Sequence, residues 1–150
     1  MKINKLFEGI KRIANGDYVL EGDLISEETI EVDLDDRLVV RGSIFSEKSI
    51  VVGFTVIAGC GIEAGWGIEA GWGIEAGEGI KAGEGIEAGE GIKAGEGIEA
   101  KTFIYTEKRI FAGVSVYHTS ENCKKFIKCA ELRKGEVAFG DLIIEKDADS

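Results

Sequence analysis

The sequence predicts an all-β fold, a single-stranded triangular β-helix (a β-solenoid of about 18 residues per coil), on three observations. First, residues 61–100 repeat one six-residue phrase, from "GIEAGW" to "GIKAGE", in which only Glu, Lys and Trp change. Second, a six-residue beat of aliphatic residues runs beyond that block: Val32, Leu38, Ile44, Ile50, Val56, then Ile62 through Ile98, then Ile104, Ile110 and Val116. Third, charges one place after the aliphatic residue pair in opposite sign in two of three columns when the sequence is wound 18 residues to a coil, with Glu69 and Glu87 left unpaired. Glu63 then lies under Lys81 and Lys81 under Glu99, with Glu75 under Lys93, whereas a 12-residue coil would align Glu63, Glu75, Glu87 and Glu99 in one repulsive column.

Each element follows from the same phrase. In "I-E-A", alternation points Ile and Ala inward and Glu outward, which is the geometry of a short strand. The following "G-E-G" or "G-W-G" supplies two glycines for a sharp corner, where a positive φ is open to glycine. A helix is excluded, since six is not a multiple of 3.6 and each interior Gly costs about 1 kcal/mol. About five coils are expected. One domain covers 1–150: a capping helix over 1–16, the β-helix over 18–118, and a cap and tail over 119–150. The helix is expected because Ile3, Leu6, Phe7, Ile10 and Ile13 follow helical spacing, with Lys2, Lys5, Lys11 and Arg12 mostly opposite and Gly16 as a stop. Beyond it, "KKFIKCAELRKGEVAFGDLII" reads as strands around "KGE" that pair with the last coil or fold back along the prism.

Composition narrows the function. The net charge of −10 argues against direct binding of nucleic acid or anionic lipid, because phosphate contacts need an excess of Lys and Arg. No apolar run spans a bilayer and no secretory leader is read at the start. Cys60, Cys123 and Cys129 form neither a disulfide framework nor a metal-ligand spacing, which suits reduced thiols in a cytoplasmic protein. His118 is the single histidine, and no phosphate loop or zinc motif is present, so neither a catalytic site, a metal nor a cofactor is expected.

What varies along the repeat is the outward surface. The candidate binding residues are Glu63, Glu69, Glu75, Glu87 and Glu99 on the strands, with Trp66, Trp72, Glu78, Glu84, Glu90 and Glu96 at the corners. The 18-residue register puts Lys48 beneath Trp66 and Phe54 beneath Trp72. Before and after the repeat the outward places turn apolar, at Phe45, Val51 and Ile57 and again at Tyr105, Phe111 and Tyr117. These are candidate positions for self-association or for docking of a cap.

The six-step aliphatic beat and glycine corners from Val32 to Val116 resemble the hexapeptide β-helix proteins, which implies a triangular prism and, in many members, acyl transfer. The place two before the aliphatic residue, small in that family, here holds Trp66, Trp72 or Glu. Residues 18–60, "YVLEGDLISEETIEVDLDDRLVVRGSIFSEKSIVVG" among them, resemble the bactofilins, which implies a cytosolic scaffold that polymerises end to end. In charge, size and lack of a catalytic motif the chain is similar to the acidic, nucleic-acid-mimicking inhibitors that phages direct against restriction or CRISPR nucleases. The leading expectation is therefore a non-catalytic interaction protein whose partner carries a basic surface, in a homo-oligomeric state. A self-assembling scaffold is the alternative, and an acyltransferase-like enzyme stands third.

Overall fold

The structure, a computed structural model, describes residues 1–114 and 125–145. It is a parallel β-solenoid of about six turns, with three strands to a turn. Two short strands, β1 (Lys2–Ile3) and β2 (Ile10–Arg12), precede the coils. The first coil holds β3 (Tyr18–Leu20), β4 (Leu24–Ser26) and β5 (Ile30–Val32). The next two are β6 (Leu38–Val40), β7 (Ile44–Ser46) and β8 (Ile50–Val52), then β9 (Val56–Ala58), β10 (Ile62–Ala64) and β11 (Ile68–Ala70). Above them lie β12 (Gly73–Ala76), β13 (Ile80–Ala82) and β14 (Ile86–Ala88). The chain goes on through β15 (Gly91–Ala94), β16 (Ile98–Ala100) and the long β17 (Phe103–Ala112), then β18 (Phe126–Cys129), β19 (Glu131–Phe139) and β20 (Asp141–Ile144).

Three faces result. The first stacks β3, β6, β9, β12, β15 and the second half of β17. The second stacks β4, β7, β10, β13, β16, β18 and β20. The third stacks β5, β8, β11, β14 and the first half of β17. β17 turns the corner between the third and first faces without a glycine pair, and β19 follows it around that corner with shifts of register.

The 18-residue coil is observed directly: Ile62 pairs with Ile80 and Ile80 with Ile98, Ile68 with Ile86, and Ile74 with Ile92. Each of these isoleucines is essentially inaccessible, and the alanine two places on packs beside it. Burying one Ile side chain contributes roughly 1.5–3 kcal/mol, so a continuous file of them holds the stack. Parallel pairing at about 4.8 Å per level then satisfies the backbone of every interior strand.

Four expectations need correction. No helix forms over residues 1–16; that segment is β1, turns and β2. The first coil offers bare strand edges, and these draw the segment into pairing: β1 lies parallel on β5 and β2 antiparallel on β3. Gly9 and Gly16, at φ of 92° and 96°, supply the turns, and Leu6 and Ile13 stay exposed where a capping helix would have buried them. The second correction is one of phase. Val32 does not belong to the aliphatic file; it pairs with Val52 in the place two residues later, and the file already runs through Leu24 and Ile30 of the first coil, out of step with Leu38 by two residues. The first coil is two residues longer than the rest, because Ile30 pairs with Ile50 and Tyr18 with Leu38. The extra length lies at the corner Asp33–Arg37. There Leu34 is buried, Asp35 accepts a hydrogen bond from the Tyr18 hydroxyl (2.7 Å), and Arg37 grips buried Asp17 at 2.9 and 3.0 Å.

The third correction concerns the glycines. None in the repeat has a positive φ. The first glycine of each corner is demanded by close approach: a Cβ at Gly65 would lie 2.1 Å from the carbonyl oxygen of Glu47, and one at Gly83 2.0 Å from that of Gly65. The second glycine has more room, since Ser43, Ser49 and Thr55 hold the same place one coil earlier than Gly61, Gly67 and Gly73. Finally, five coils was an undercount. The 18-residue spacing breaks after β17, yet Ile127 of β18 pairs with Ile98 and Leu142 of β20 with Ile127, so residues 126–144 rejoin the stack.

Candidate functional site

The outward residues form vertical columns at strand spacing. On the second face the column runs Phe45, Glu63, Lys81, Glu99, Lys128. On the first it runs Val39, Ile57, Glu75, Lys93, Phe111. On the third it runs Val51, Glu69, Glu87, Tyr105. Opposite charges alternate in the first two. Only in the third do two carboxylates, Glu69 and Glu87, sit directly one above the other, a pairing that costs stability.

The corners form columns as well. Cys60, Glu78 and Glu96 succeed one another at the corner between the first and second faces. Lys48, Trp66, Glu84 and Thr102 do so between the second and third, and Phe54, Trp72 and Glu90 at the last corner. Both tryptophans are 51% exposed, but their surroundings differ. Trp72 stacks on Phe54 at 4.4 Å and 25°, as one would expect of an aromatic that covers a corner. No ring stacks on Trp66 among the described residues, and the Lys48 ammonium in the level below is held by Glu28 at 2.6 Å.

Because the second glycine of each corner lacks a side chain, each face carries a longitudinal groove. The groove on the first face is the largest, about 870 Å³, but it is charge-balanced: Glu75, Glu90, Glu107 and Glu136 face Lys93, Lys108, Arg109 and Lys134. Several of these are paired, Lys108 with Glu90 at 2.8 Å and Lys134 with Glu107 at 2.5 Å. Lys134 and then Tyr105, both hydrogen-bonded to Glu107, hold that carboxyl below its ordinary value. The groove on the second face, about 420 Å³, is lined by Glu63, Glu78, Glu96 and Glu99 against Lys81.

The groove on the third face is the smallest, about 130 Å³, and the only one of the three whose lining includes carboxylates but no cation. Gly67 and Gly85 form its floor, Glu69, Glu84 and Glu87 its rim, and Val51 and Phe103 its ends. The ring of Phe103 lies on Gly85, so the chain itself shows that the glycine floor accepts a flat group. Trp66 stands at the corner immediately before Gly67.

Thus the structure gathers Glu69, Glu84 and Glu87 into one groove, while Trp66 stands in the corner column one level below Glu84 and outside the groove's lining. Glu75, Glu90 and Trp72 are engaged elsewhere on the first face and its corner, and Glu63, Glu78, Glu96 and Glu99 belong to the second. Phe45, Val51, Ile57, Tyr105 and Phe111 are outward column residues as expected; Tyr117 lies outside the described residues, as do His118 and Cys123. Phe103, which also lines the groove, is not among the residues expected from the sequence; its signal is an aromatic standing where Gly85 and Gly67 stand one and two coils earlier. Among the described residues there is no cluster of metal-ligating side chains and no helix long and apolar enough to cross a membrane. Buried Cys129 has its thiol pushed above the ordinary range by desolvation.

Comparison with family models, curated proteins and solved structures returns no match.

Proposed function

We propose that this protein is a non-catalytic interaction module that presents the third face of its solenoid to a protein partner with a basic surface. The observation that carries the reading is the groove lined by Glu69, Glu84 and Glu87 with no cation among the described residues that line it, in a repeat whose other strand columns alternate in sign. A fold optimised only for its own stability would place Lys at one of the two stacked positions, as it does at Lys81 and Lys93. An arginine side chain suits such a groove: its planar guanidinium lies on the glycine floor and donates to the carboxylates. Partners rich in such side chains include proteins that bind nucleic acid. The reading therefore takes the form of an acidic mimic that occupies the basic surface of a nucleic-acid-processing protein.

The test is binding of a fluorescent oligo-arginine peptide, followed by anisotropy across a salt series. Affinity should fall steeply as salt rises, and the triple reversal Glu69→Lys, Glu84→Lys, Glu87→Lys should abolish it. The reversal Glu63→Lys on the second face should leave most of the binding. A triple variant that binds as the unaltered chain does would exclude the third face as the site.

A further inference from the structure

The two ends of the solenoid are not alike. At the first coil, β1 covers the edge of β5 and β2 covers that of β3, so two of three faces are closed. The inward residues there, Ile3, Tyr18, Leu20, Leu24, Ile30 and Val32, are all buried. At the last coil nothing among the described residues pairs with the outer edge of β20, or with β19 on the side away from β17. The apolar interior is also open at that end. Leu142 and Ile144 sit in register on Ile127 and Cys129, pointing into the prism, yet they are 41% and 50% exposed where Ile127 and Cys129 are 0% and 1%. Phe139 and Ile143 add exposed apolar surface beside them.

We propose that this last coil is a dimer interface, closed by the same coil of a second copy across a two-fold axis perpendicular to the solenoid. Three observations select that occupant. The surface needing cover is a three-sided ring of strand edges around an apolar centre, and another last coil of this chain presents the same outline. Such an axis reverses the direction of travel around the prism, so β19 and β20 meet their counterparts antiparallel, and one isologous contact satisfies both edges. Charge does not oppose it: Glu136, Asp141 and Glu145 are each matched within the chain, by Arg109 (4.0 Å), Lys125 (4.0 Å) and Lys128 (2.8 Å). β1 and β2 cover two of the first coil's three strand edges and its inward residues are buried, so that end offers no open apolar centre and association stops at two.

Sedimentation velocity of the 150-residue chain over a concentration series tests this. The expected mass is twice the 16.1 kDa of one chain, with a plateau. The double substitution Leu142→Lys, Ile144→Lys should halve it while the far-ultraviolet circular dichroism is kept, and Leu6→Lys at the sealed end should leave the dimer intact. Should the double variant misfold, hydrogen exchange on the unaltered chain decides: amides of 136–144 should be protected in the dimer and lose that protection on dilution. A monomer at all concentrations, protection that dilution does not change, or a mass that rises without limit would each overturn the proposal, the second by showing that the same chain covers its own end.

Discussion

Two glycines that look equivalent in the repeat carry different constraints. Gly83 has no room for a methyl group, since its Cβ would meet the Gly65 carbonyl oxygen at 2.0 Å, whereas the nearest atom to a Cβ on Gly73 is 3.6 Å away. Gly83→Ala should therefore clearly lower stability, while Gly73→Ala should keep it or raise it by roughly 0.4–1 kcal/mol through a less disordered unfolded chain. Thermal unfolding of the two variants side by side checks the contrast. A second prediction at this scale concerns acid. Glu107 is held below its ordinary value of 4.5 by Lys134 first and Tyr105 next. A carboxyl depressed in the folded state contributes stability that is complete above the unfolded value and is lost as pH falls through the folded one. A side-chain carboxyl titration by NMR should place Glu107 below an ordinary glutamate, and Lys134→Ala should return it towards that value. The rhythm of the glycines was plain from the sequence, but which glycine is obligatory was not, because the clash is with a carbonyl one coil away.

For the strands, the same boundary between legible and hidden holds. Opposite-charge columns identified the 18-residue coil before any coordinates, and the pairing of Glu63, Lys81 and Glu99 follows it. The first residues misled because their apolar spacing fits a helix, while the open edges of β3 and β5 offered hydrogen bonds that only strands accept. Likewise the two extra residues at Asp33–Arg37 are invisible to a six-step count, since Val32 is itself aliphatic and buried. The candidate site was legible residue by residue and not as a group. Eleven outward residues look alike in sequence, and only the cations that line the first and second grooves separate Glu69, Glu84 and Glu87 from the rest. That separation predicts an unusual variant. Glu87→Lys converts the one like-charge strand column into an alternating one, and should stabilise the fold by roughly 0.2–0.5 kcal/mol at this exposed position. Chemical denaturation of that variant measures it.

Taken whole, the molecule is a stack of repeated levels with outward carboxylates along its sides and the proposed association surface at one end. The two are separable, since the third-face groove lies around β8, β11 and β14 while β19 and β20 form the last coil. A dimer joined through the last coils would set two third-face grooves on one rod, and two linked sites raise apparent affinity for a partner that spans them. The most direct measurement is peptide binding and unfolding on the same preparation of Glu87→Lys. The account predicts that this protein is at least as stable as the original and binds the oligo-arginine peptide many-fold more weakly. A variant that gains stability and keeps its affinity would contradict it, leaving the glutamates of the third face with no part in recognition.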